Sequence, residues 1–155
     1  MNDIPKNIKS GINGDLNNLE KEELNINVTS CILSFMEYAM KTAEMYVIHS
    51  NRKIITSKDI KKAMMLEVFL YFDRINLNYT VEKWRNTILN ELENDESYTS
   101  ESEEEYEEEN TEEMINVKIC DCEVCKHMNE IEEKWKIYEP SDELGKIFKN
   151  NIDRI

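Results

Sequence analysis

From Ile32 onward, nonpolar side chains return at the three- and four-residue intervals of an α-helix: Ile32, Phe35, Met36, Ala39, Met40, Ala43, Tyr46 and Val47, closing at Ser50. Glu37, Lys41 and Glu44 fall between them, on the side expected to face water. A stripe this regular is an amphipathic helix, and only three Gly and two Pro in 155 residues argue against turn-rich β structure. The helix is predicted to start near Asn18, to pass through Asn25 and Asn27, and to end near Asn51. Lys53-Ile54-Ile55 then reads as a short extended piece whose β-branched side chains suit a small buried strand. Thr56 opens a second helix, with Asp59 three residues later completing a capping box and placing negative charge at the helix N-terminus. Ile60, Ala63, Met64, Val68 and Tyr71 continue it on one face, and Thr80 is the expected cap of a third helix carrying Val81, Trp84, Ile88 and Leu92. The fold class is therefore all-α.

The net charge of −14 is unevenly distributed. Residues 1–90 are nearly neutral at +1, residues 91–113 hold 13 acids and no base, and residues 114–155 carry −2. The acidic run, "ELENDESYTSESEEEYEEENTEE", is low in complexity and repels itself, so it is expected to be a disordered linker. Three regions follow: a folded domain over residues 1–92, a linker over 93–114 and a C-terminal module over 115–155. No apolar run approaches the roughly 18–20 residues of a membrane span, and the first residues lack the apolar core of a signal peptide. The expected setting is intracellular, with no membrane partner.

"NRKIITSKDIKKAMML" carries a resemblance. A long helix, a basic extended loop and a capped shorter helix resemble the central helix, second loop and third helix of the core histones over about Val28 to Phe72. That resemblance implies a histone fold, in which the loop Arg pairs with the helix acid, here Arg52 with Asp59. It places Arg52, Lys53, Ile54 and Thr56 where histone loops approach DNA phosphates. It also implies an obligate partner, another histone-fold chain in preference to a second copy. The partner would cover Ile32, Phe35, Met36, Ala39, Met40, Ala43, Tyr46 and Val47 of the long helix and Ile60, Ala63 and Met64 of the next. An ordinary helical bundle, with Arg52-Lys53 as a solvated turn, is the competing architecture. The chain departs from packaging histones in lacking a long basic tail, since "MNDIPKNIKSGINGD" offers only Lys6 and Lys9, and a core of +1 neutralises few phosphates.

"ICDCEVCKHMNEIEEKW" is the second informative stretch. Cys120, Cys122, Cys125 and His127 form C-x-C-x2-C-x-H, four soft ligands within eight residues, a set suited to a structural zinc ion. Cys31 or a second chain could complete the set, and a reduced cluster without metal is the plain alternative. Met128, Ile131 and Trp135 share a face of a short helix ending before Pro140, and Ser141-Asp142-Glu143 opens a last one. Trp135 and Tyr138 are expected to pack together. So small a module needs a staple, which favours a metal or docking onto the folded domain. Cys-rich extensions of this kind resemble those on histone-like proteins of large DNA viruses, which would place the chain in a virion or virus factory instead of a nucleus.

Enzymatic readings find little support: the three Gly are isolated and build no phosphate loop, and the two His are accounted for at a helix end and in the Cys cluster. Two non-enzymatic functions remain. One is a histone-fold heterodimerisation subunit acting on DNA in chromatin or transcription. The other is an acidic, chaperone-like protein that binds histones through Glu103 to Glu109, with Tyr98 and Tyr106 adding contacts.

Overall fold

A computed structural model describes residues 17–94 and 120–155. Residues 1–16 and 95–119 lie outside them, and with them most of the linker and its histone-binding role, whereas Glu91, Leu92 and Glu93, expected within the disordered acidic run, are helical. Among the described residues there are five α-helices and no strand: α1 (Asn18–His49), α2 (Ser57–Leu70), α3 (Leu77–Glu93), α4 (Glu123–Ile137) and α5 (Glu143–Arg154), with a 3-10 turn over Tyr71–Asp73. None of these helices is long and apolar enough to cross a membrane.

The ends of α1 follow from local chemistry. Asn17 and Glu20 form a capping box, the Asn17 side chain accepting the Glu20 N–H at 2.8 Å while Glu20 accepts the Asn17 N–H at 3.1 Å. At the other end the N–H of Arg52 donates to the carbonyl of Val47 and that of Asn51 to Ile48, a Schellman closure. It requires a left-handed residue, supplied by Asn51 at φ 57°. Arg52 is thereby turned back over the loop, where its two terminal nitrogens donate to Asp59 at 2.7 and 2.6 Å. Asp59 also closes the Thr56 capping box that starts α2.

Three expectations change here. Lys53-Ile54-Ile55 forms no strand, and Ile54 is 71% exposed; among the described residues no second strand is present to take its hydrogen bonds. Thr80 does not cap a helix: α3 begins at Leu77, and the buried Thr80 hydroxyl returns to the Asn76 carbonyl and meets Tyr38 at 2.9 Å. Glu37 does not face water alone, since it accepts hydrogen bonds from Lys83 and Trp84 of α3 and fixes that helix against α1.

The core joins both halves of the chain. Ala39, Ala43 and Ala63 of α1 and α2 form a floor of small residues, and Met128, Ile131, Trp135 and Ile152 of α4 and α5 fill the space above it with Met65 and Leu66. Phe148 stacks on Phe35 at 4.8 Å between ring centres. The C-terminal helices therefore dock on the folded domain. Phe35, Ala39, Ala43, Val47 and Ala63, expected to face a partner, are buried within the chain: Ala39, Ala43 and Ala63 lie in the core shared with α4 and α5, and Phe35 packs on Tyr71 and Phe148. Met36, Tyr46, Ile60 and Met64 are half-buried, and Ile32 and Met40 remain exposed.

Candidate metal centre

Three sulfurs and one imidazole meet where α1 ends and α4 begins. Cys120 lies just ahead of α4, Cys122 is its N-cap, and Cys125 occupies the third helical position. The Cys122 sulfur accepts the Cys125 N–H at 3.5 Å, as an N-cap oxygen would, which folds both sulfurs over the first turn. His49, the last residue of α1, points its Nδ1 at the group: 3.2 Å from Cys122, 3.5 Å from Cys125 and 3.6 Å from Cys120. All four donor atoms lie within 4.8 Å of one another.

This geometry fits a metal better than it fits hydrogen bonding. One imidazole nitrogen offers either one N–H or one lone pair, so it can satisfy only one of the three sulfurs around it. A tetrahedral zinc site, with Zn–S of about 2.3 Å and Zn–N of about 2.0 Å, has S···N edges of about 3.5 Å. The three observed separations match that value. A metal held by all four donors would have the closed four-coordinate shell of a structural site.

The cluster also separates its thiols electrically. The Cys122 thiol is lowered to about 6, chiefly by the Cys125 N–H aimed at its sulfur and then by the Cys125 side chain. The Cys125 thiol is pushed up to about 12 by burial and by the neighbouring sulfurs. Three thiolates this close repel one another, and a bound dication offsets that repulsion by taking all three as ligands.

His127 is not part of the group, which corrects the ligand set expected from spacing. It follows Cys125 by two residues on α4, and a helix turns about 100° per residue, so the two side chains diverge by roughly 200°. Cys31 lies exposed on α1, outside the group. The sequence offers one signal for the fourth donor, that His49 is the one other histidine, but the local spacing favoured His127. What it lacks is the fold that brings together His49 and Cys120, 71 positions apart in the chain.

The loop residues implied as phosphate contacts are placed unevenly. Arg52 is turned inward onto Asp59 and lies across the Tyr46 ring, and Thr56 serves the α2 cap, whereas Lys53 and Ile54 are exposed. Comparison with protein-family models, with curated proteins and with solved structures gives no match for this chain.

Proposed function

We propose that this chain is a non-enzymatic, histone-like helical subunit of a chromatin or transcription assembly, whose C-terminal helices are held by structural zinc. The His49–Cys120–Cys122–Cys125 group carries the zinc reading: its donor types and spacings suit a closed tetrahedral site, and it joins two parts of the chain that share a core. Structural zinc sites contribute about 10–16 kcal/mol of apparent binding free energy at neutral pH, which is folding free energy when the site forms only on folding. Zinc content of protein purified without added metal tests it. One zinc per chain is expected in the wild type and in His127→Ala, with loss in His49→Ala and Cys122→Ser; equal content in all four would refute the site.

The DNA-directed part rests on the loop between α1 and α2. Arg52 and Asp59 lock that loop, leaving Lys53 outward, with Lys58 exposed on the first turn of α2. A chain of net charge −14 would bind phosphate through a basic partner. Leu24, Val28 and Ile32 recur every four residues along α1 and are each about half exposed, a surface suited to that partner. Affinity purification from native cells is expected to recover a small basic chain in one-to-one amount. The pair should bind DNA in a salt-sensitive way, and Lys53→Glu should weaken it and lower the salt slope by about one. Recovery of no stoichiometric partner, or a slope unmoved by Lys53→Glu, would remove the histone-like reading.

A further inference from the structure

We infer that zinc at this centre controls a hinged cover: α4 and α5 close over the α1–α2 face while the metal is bound and leave it when the metal is withdrawn. The inference rests on the zinc reading above and adds a regulatory role to it. The two surfaces are complementary and unequal. The α1–α2 side contributes the small residues Ala39, Ala43 and Ala63 with Met65 and Leu66, and the cover contributes the larger Met128, Ile131, Trp135 and Ile152, all buried in one cluster. Outside this apolar contact, few polar ties cross from the cover to the body. The Tyr46 hydroxyl donates to Asn129 at 2.7 Å, and Lys62 lies 3.7 Å from Glu132. The first is a single neutral hydrogen bond and the second a long ion pair, each of a kind that contributes little by itself. The centre is the remaining tie, and its ligands are divided between the two sides, His49 from α1 and three Cys from the start of the cover.

Helix α3 does not depend on the cover. It is held on α1 by Glu37 with Lys83 and Trp84, and by Tyr38 with Thr80. Withdrawal of the metal would therefore leave the cover held by its apolar contact and two single polar ties, while α3 keeps its own ties to α1. The face uncovered includes Phe35, Ala39, Ala43 and Ala63, the residues whose pattern marks them for a helical partner, so metal occupancy would set whether that face is available.

Amide hydrogen exchange on the full chain, zinc-loaded and after withdrawal by excess chelator, tests this directly, with zinc stoichiometry measured by native mass spectrometry on the same samples. Exchange in α4 and α5 is expected to rise about tenfold or more on withdrawal while α3 changes less than about twofold. His49→Ala should show the open pattern without chelator, and His49→Cys, which restores four ligands, should show the closed one. Zinc bound one to one with exchange unchanged on withdrawal would overturn the cover and leave the metal centre standing. No zinc bound would overturn both. Loss of protection in α3 together with α4 and α5 would mean that zinc holds the whole fold, and would also overturn the cover. Should His49→Ala fail to fold, the chelator comparison on the wild type decides alone.

Discussion

Glu37 is a residue whose surroundings outweigh its place in the pattern. It accepts from Lys41 and Lys83 at 2.7 Å each and from the Trp84 indole, and these bonds lower its carboxyl from 4.5 to about 2, the Lys41 bond first. A depressed folded value means that the stabilisation is full above the unfolded value and is lost as the carboxylate takes a proton in the fold. The melting temperature of Glu37→Gln should fall below that of the wild type near neutrality, and the gap should close as pH drops from about 4.5 to about 2. Melting curves across that range check it; a gap independent of pH would show that the charge is not what stabilises. Glu67 is the opposite case. It is fully buried, burial raises its carboxyl, and the Arg74 fork draws it back down through bonds of 3.1 and 2.6 Å. Arg74→Ala should cost about 3 kcal/mol at neutral pH by leaving a buried carboxylate without its partner. Denaturant unfolding measures this, and the cost should shrink in acid, where Glu67 is neutral in both folded and unfolded chains.

At the scale of elements, the caps account for where helices begin and end, and most are local. Asn17 with Glu20 starts α1, Thr56 with Asp59 starts α2, and Asp142 accepts the Gly145 N–H at 2.6 Å to start α5. The start of α3 has no side-chain cap and is placed by its contacts with α1, which is why Thr80 misled the sequence reading. Gly145 shows how tightly α5 meets the turn before it: an added Cβ would stand 2.9 Å from Asp142 Oδ1, 2.9 Å from the Pro140 Cβ and 3.1 Å from the Tyr138 hydroxyl. Gly to Ala inside a helix ordinarily favours the helix by up to about 1 kcal/mol. Here Gly145→Ala is expected to lower the melting temperature, since the proline ring cannot move aside as a flexible side-chain tip can. A rise would mean that the α5 start relaxes freely.

At the scale of the molecule, one core and one His/Cys cluster able to hold a metal join helices that lie far apart in the sequence. Thermal unfolding of the zinc-loaded chain, followed by Trp135 fluorescence in a Trp84→Phe background and by helical circular dichroism, should therefore give coincident transitions. Withdrawing zinc should move the Trp135 transition to lower temperature and split it from the rest; coincidence in both states would mean that core contacts alone couple the halves. The helices themselves were legible because helical period and capping are short-range: the stripe from Ile32 to Val47, the Thr56-Asp59 box and the Met128-Ile131-Trp135 face each arise within a few turns. Three of the four members of the His/Cys cluster were legible for the same reason, being gathered around the first turn of α4. Only the tertiary structure decided that His49 and not His127 completes the group, and that α4 and α5 cover the alanine floor expected to await a partner. Both depend on which distant surfaces meet, and a periodic pattern records that a face is apolar without recording what lies against it.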